Sequence, residues 1–193
     1  MVNKSPNKAR GYNNLGIAFA NIGQHDLAIK HYNKAVDVNP DYEEIYKIYN
    51  NRAIAYSAKG QDDMAINDYY TALKLNPDYA EPYNNLGLSF KKKGQYDIAI
   101  ENYNKAITIN PNYAMAYNNR ATAYSAIGQN EMAINDYNMA ININPDYAPA
   151  FYNRGFVFLS MGMNDSAFSD FQIACMMGNA LGCRFLQILK RNN

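Results

Sequence analysis

The chain lacks the charge excess that would recruit a polyanion: 18 Lys and Arg stand against 17 Asp and Glu in 193 residues, a net of +1. That argues against nucleic acid as a partner held by bulk electrostatics. No stretch reaches the roughly 18 uninterrupted apolar residues of a membrane span, so no direct membrane insertion is expected. The opening segment, Met1 to Arg10, is polar and has no apolar centre of a secretory signal. Cytoplasmic residence is the expectation, with a periplasmic or secreted location if a signal segment was removed. Cysteine and histidine each occur only twice. Two thiols without nearby His or carboxylates do not complete a tetrahedral metal site. His25 and His31 have no Cys partner, no Gly-rich phosphate loop precedes a helix, and no Ser-His-Asp set appears. No catalytic residue, cofactor or metal is therefore expected, and the chain reads as a non-enzyme.

What the chain does have is aromatic side chains and asparagine. Its 18 Tyr and 8 Phe exclude a disordered tail. Asn-Pro recurs at Asn39-Pro40, Asn76-Pro77, Asn110-Pro111 and Asn144-Pro145, with prolines 37, 34 and 34 residues apart. A fixed period of this size marks a repeat array. Within a unit two runs carry helical periodicity, such as Tyr83, Leu86, Gly87 and Phe90, then Ala99, Tyr103 and Ala106 after a Gly94-Gln95 break. Sustained alternation is absent, so strands are not expected. Each unit is helix, turn, helix, then an Asn-Pro turn.

Five units align. Residues 9–42 give Tyr12, Leu15, Gly16, Phe19, Ala28, Tyr32, Ala35 and Pro40; residues 46–79 give Tyr49, Arg52, Ala53, Tyr56, Ala65, Tyr69, Ala72 and Pro77. Residues 80–113 give Tyr83, Leu86, Gly87, Phe90, Ala99, Tyr103, Ala106 and Pro111, and 114–147 give Tyr117, Arg120, Ala121, Tyr124, Ala133, Tyr137, Ala140 and Pro145. In 148–181 the series is Phe151, Arg154, Gly155, Phe158, Ala167, Phe171 and Ala174, with Asn179 where proline should stand. This spacing resembles the tetratricopeptide repeat (TPR) family. The resemblance implies an all-α fold: a right-handed α-solenoid, or superhelix, of helix-turn-helix repeats forming one domain over residues 1–193. A capping helix over 182–193 would close its C-terminal end.

The small residues at Gly16, Ala53, Gly87, Ala121 and Gly155 let two helices approach closely, facing Ala28, Ala65, Ala99, Ala133 and Ala167. Arg52, Arg120 and Arg154 occur in the same units as Asp68, Asp136 and Asp170, sixteen residues later; the other two units have Leu with His31 or Asn102. The co-occurrence predicts three ion pairs within repeats. Three extra residues around Glu43 to Ile45 approximate one helical turn, and the simplest account is a longer first helix.

In the family, ligands lie on the first helices. Carried over, the sixth position is Asn14, Asn51, Asn85, Asn119 and Asn153, and the fifth is Asn13, Asn50, Asn84, Asn118 and Tyr152. Such a row resembles the asparagine ladder with which some TPR superhelices hold the backbone of an extended peptide; the alternative is an asparagine row that stabilises the scaffold. Lys91 and Lys92 are further groove candidates, although Lys91 to Lys93 also suit a helix C-terminus. The lysines of a carboxylate clamp are missing from the fifth positions. Cys175 and Cys183 have a spacing that resembles Sel1-type repeats, in which a disulfide ties consecutive helices; two reduced core cysteines are the alternative, favoured by the lack of an export signal.

The reading is an interaction scaffold that binds a protein or peptide segment in a concave, Asn-lined groove. Alternatives are a self-assembling structural scaffold, with a homo-oligomer formed through the uncapped N-terminal end at Met1 to Lys8, and a regulatory or targeting module of a larger protein.

Overall fold

The computed structural model describes residues 6–192, and every regular element among them is a helix. The expected N-terminal contact surface at Met1 to Lys8 therefore lies largely outside the described residues, as does Asn193 of the cap. In chain order the helices are α1 (Pro6–Asn21), α2 (His25–Val38), α3 (Ile45–Ala58), α4 (Asp62–Leu75), α5 (Ala80–Lys92), α6 (Tyr96–Ile109), α7 (Ala114–Ala126), α8 (Asn130–Ile143), α9 (Ala148–Ser160), α10 (Asn164–Met176) and α11 (Ala180–Asn192). They group into two compact units, up to Ser89 and from Phe90, the division falling within α5. In the first unit α1 packs on α2, α2 on α3 and α3 on α4. In the second, α7 pairs with α8, α9 with α10 and α10 with α11, and α6 and α8 each pack on the first helix that follows.

The turn inside each repeat is fixed by glycine. Gly23, Gly60, Gly94, Gly128 and Gly162 all have φ between 73° and 78°, a left-handed conformation that costs a residue with a Cβ. The next residue then reaches back to an aromatic carbonyl, as in Gln24 N–H to Phe19 O at 2.9 Å and Gln129 N–H to Tyr124 O at 2.9 Å. With Gly23 N–H on Ala20 O at 2.9 Å, this is the paired-bond ending that satisfies the last carbonyls of a helix. At the Asn-Pro turns the asparagine does a second job. Asn76, Asn110 and Asn144 accept through Oδ1 from the backbone N–H two residues on, at 3.1 to 3.2 Å.

Around Glu43 to Ile45 the structure differs from the expected longer helix. α3 has 14 residues against 13 in α5, α7 and α9, so the insertion is taken up mainly in the loop. Turns close it through Tyr42 N–H on Asn39 O and Ile45 N–H on Tyr42 O. Tyr42, Ile45 and Ile48 are buried in the first core, so their apolar side chains fold the extra residues down onto it.

The core is built from alanine and aromatic rings. Ala28, Ala65, Ala99, Ala133 and Ala167 are wholly buried, and beside them lie Tyr32, Tyr69, Tyr103, Tyr137 and Phe171. The reason for a small residue on the first helix is more specific than close approach to alanine. A Cβ on Gly16 would stand 2.4 Å from the Tyr32 ring, and one on Gly155 would stand 3.0 Å from Phe171. The second-helix ring occupies the space that the missing side chain leaves. Methionine takes no part in this core: every described methionine is exposed, from Met177 at 37% to Met176 at 81%.

Candidate binding surface

The three expected ion pairs are present, and each has one partner more than the sequence suggested. Arg52 donates from Nε and Nη2 to the two carboxylate oxygens of Asp68 at 2.7 and 2.8 Å, and from Nη1 to Asn33 Oδ1 at 2.7 Å. Arg120 repeats this with Asp136 at 2.7 and 2.6 Å and Asn104 at 2.6 Å. Arg154 repeats it with Asp170 at 2.8 and 2.7 Å and Asn138 at 2.5 Å. Asn33, Asn104 and Asn138 sit on the second helix of the preceding repeat, so each guanidinium ties its own repeat to the one before. Each is flanked by two rings within 6.0 Å: Tyr49 and Tyr56, Tyr117 and Tyr124, Phe151 and Phe158. For Arg52 and Arg120, burial disfavours the charge. The bonds and charge of the facing aspartate outweigh that and hold both guanidinium groups above their ordinary pKa.

The asparagine row faces a different environment from the one expected. The fifth-position residues Asn50, Asn84 and Asn118 are only 3%, 1% and 5% exposed. Of the sixth-position residues, Asn14 is exposed, Asn51, Asn85 and Asn153 are half-buried, and Asn119 is buried. Asn119 is therefore not solvent-facing as its helical position suggested. The physical reason lies in bonds between carboxamides. Asn51 donates to Asn13 Oδ1 at 3.3 Å, Asn85 to Asn50 Oδ1 at 3.3 Å, and Asn153 to Asn118 Oδ1 at 3.0 Å. Each bond runs from a sixth position to the fifth position of the previous repeat. Within a repeat, Asn84 donates to Asn85 at 3.3 Å and Asn118 to Asn119 at 3.4 Å. A carboxamide has a donor end and an acceptor end, so the type can be used twice in one chain of bonds.

Exposure on the first helices moves elsewhere. In the first unit Ile17 is 37% and Ile54 46% exposed, at the same position in successive repeats. Arg10 and Lys47 lie near Glu44 in the inserted loop; Lys47 pairs with Glu44, and bonding to that carboxylate raises the lysine and lowers the glutamate. In the second unit Met115 is 44% exposed, and Tyr152, Phe156, Lys91 and Asn153 are half-buried, with Lys92 exposed. Burial holds the Lys91 ammonium below the usual lysine range.

At the C-terminal end Cys175 and Cys183 are bonded to each other, with Cα atoms 4.5 Å apart. Of the two sequence alternatives, the structure has the disulfide. A turn with Gly178 at φ 83° brings the two sulfurs together. Among the described residues no group of three or more His, Cys, Asp or Glu is placed to hold a metal, and no helix is long and apolar enough to cross a membrane.

Models of the tetratricopeptide repeat match residues 9–42, 80–113 and 102–135, and a TPR repeat model matches 54–94 and 122–162. No curated protein matches the chain at a significant level. Among solved structures, a crystal structure of MamA is 26% identical, with a TM-score of 0.71 over 85% of this chain and 94% of that one. PilF from Pseudomonas aeruginosa has the same fold at 15% identity and a TM-score of 0.80, over 89% of this chain and 77% of that one. YrrB, described as a TPR protein with an unusual peptide-binding site, is 19% identical with a TM-score of 0.66, over 91% of this chain and 90% of its own. With helix pairs, glycine turns and repeat models together spanning residues 9–42 and 54–162, the chain belongs to the tetratricopeptide-repeat family.

Proposed function

We propose that the protein is a non-catalytic interaction scaffold that holds a polypeptide segment against its first helices. The observation that carries the reading is the pair Ile17 and Ile54, exposed apolar side chains at one position of successive repeats, with the carboxamides of Asn14 and Asn51 beside them. An extended or helical segment gains apolar burial at the isoleucines and backbone hydrogen bonds at whichever carboxamide valences the Asn-to-Asn chain leaves open. YrrB, a protein of like fold described as having a peptide-binding site, is consistent with such a role.

The test is a displayed peptide library panned against the wild type and against an Ile17→Asp, Ile54→Asp variant, with matched circular dichroism. Selected peptides that bind the wild type and lose at least about tenfold on the variant support the reading. Peptides indifferent to both substitutions would move the binding surface off the first helices.

Self-association is the second reading, favoured by Leu15. It is 46% exposed, whereas Leu86 at the equivalent position is wholly buried. Sedimentation over a range of concentration decides it, since a constant monomer removes this reading. The expected cytoplasmic residence goes with reduced cysteines and a bonded pair goes with an oxidising compartment, so fractionation with thiol labelling tests location.

A further inference from the structure

Helix α11 is attached to the rest of the second unit in an unusual way. Among its residues 180–189 only Gly182 is buried, and Leu181 and Ile188 are 51% and 41% exposed. By contrast α9 buries Ala150, Phe151, Gly155 and Val157, and α10 buries Ala167, Asp170, Phe171 and Ala174. In α11, Phe185, Leu186 and Leu189 are half-buried, and the Phe185 ring makes the aromatic contacts. Phe185 sits 4.5 Å from Phe156 edge-on, 5.6 Å from Phe171 in a stack and 6.3 Å from Tyr152. The approach is close at Gly182, where a Cβ would meet Ala174 Cβ at 2.9 Å. Beside that point stands the Cys175–Cys183 bond, joining the last turn of α10 to the first turn of α11 across a separation of 8 residues.

We propose that this disulfide is a redox latch, which holds α11 over the aromatic cluster of Tyr152, Phe156 and Phe171 and lets the helix swing off when it is reduced. The reductant is a dithiol. One of its thiolates attacks a cysteine sulfur, breaking the S–S bond and forming a mixed disulfide; the released sulfur takes up a proton. The second thiol of the reductant then attacks the mixed disulfide and leaves as a cyclic or internal disulfide. Two electrons and two protons have passed to the protein, which keeps Cys175 and Cys183 as thiols. Closing a chain segment this short limits the undocked states of α11, and loop-closure entropy puts the loss on reduction at roughly 70-fold in the docking equilibrium. A helix whose described apolar side chains are at best half-buried has little to set against a change of that size. The consequence is chemical: Tyr152 and Phe156 belong to the first helix of the last repeat, so opening adds two aromatic faces to the surface that first helices present.

The full chain serves for the test. Hydrogen exchange followed by mass spectrometry compares the oxidised protein, the protein treated with dithiothreitol, and a Cys175→Ser, Cys183→Ser variant. The expected result is amide exchange in 180–192 faster by tenfold or more in the reduced and variant proteins, with α7 and α8 unchanged. Binding of an apolar dye should rise in parallel, and both changes should reverse on reoxidation of the wild type. Phe185→Ala should raise exchange in α11 while the bond is intact, by removing the ring that packs on Tyr152, Phe156 and Phe171. Unchanged exchange on reduction would overturn the latch, because packing alone would then hold α11. Loss of protection throughout the second unit would overturn it too, since the bond would then support the fold rather than one helix. A serine variant that still responded to dithiothreitol would assign the response to some other group.

Discussion

Asp136→Asn removes the charge facing Arg120 and changes little else. Asp136 is 6% exposed as a residue, and the side chain of Arg120 is 18% exposed. Breaking a buried ion pair from one side costs about 3–5 kcal/mol, because the remaining charge stays desolvated. The partial exposure of Arg120 places this case at the low end, about 3 kcal/mol, or roughly 6–12 °C in Tm for a chain of this length. The repeats themselves supply a control. Repeat three carries Leu86 and Asn102 at the two equivalent positions, so the double variant Arg120→Leu, Asp136→Asn installs a natural solution in repeat four. Thermal and urea melts followed by circular dichroism should show Asp136→Asn and Arg120→Leu each clearly destabilised. The double variant should lie within about 1 kcal/mol of wild type. Additive losses, with the double variant as poor as the two singles summed, would refute the idea that the pair is one unit whose cost is the orphaned charge.

Two glycines in α1 should behave oppositely. Gly16→Ala drives a methyl into the Tyr32 ring and should lose about 1–3 kcal/mol. Gly11→Ala meets nothing within 4 Å and should gain about 0.5–1 kcal/mol in urea melts. Burial pushes Tyr32 from 10.0 up to about 12, and Tyr69, Tyr103 and Tyr137 rise for the same reason. Because the folded protein holds these protons more tightly than the unfolded chain, stability should be full below pH 10 and fall as pH rises toward 12. Denaturant midpoints with phenolate absorbance check it, and a flat midpoint across that range contradicts the burial. Asn153→Ala leaves the acceptor of Asn118, itself 5% exposed, without its 3.0 Å donor and should cost about 1 kcal/mol. Asn14→Ala, at an exposed site, should cost nothing measurable in the same melts.

The repeat architecture was legible because its signals are local and recur. Gly23 to Gly162 mark every inner turn, Asn-Pro marks most outer ones, and Arg52 with Asp68 betrays an ion pair by appearing and vanishing together. The third member of that cluster follows the same pattern. Asn33, Asn104 and Asn138 stand in the repeat before each arginine, and Tyr70 occupies that place where the next repeat has Leu86. The asparagine row was harder. Helical position places Asn119 toward the groove, but whether its carboxamide faces water depends on Asn118 and Asn153 beside it, and neither bond follows from spacing alone. The loop at Glu43 to Ile45 misled for a related reason. Its length suits a helical turn, yet the burial of Tyr42 and Ile45 against the first core decides its path.

The absence of methionine from the described core bears on chemical endurance. A thioether oxidised by peroxide becomes a polar sulfoxide, which is ruinous inside a packed interior and tolerable at a surface. Here an oxidant would spend itself on side chains such as Met132, Met161 and Met176, already in contact with water, while the alanine and tyrosine interior offers it no thioether at all.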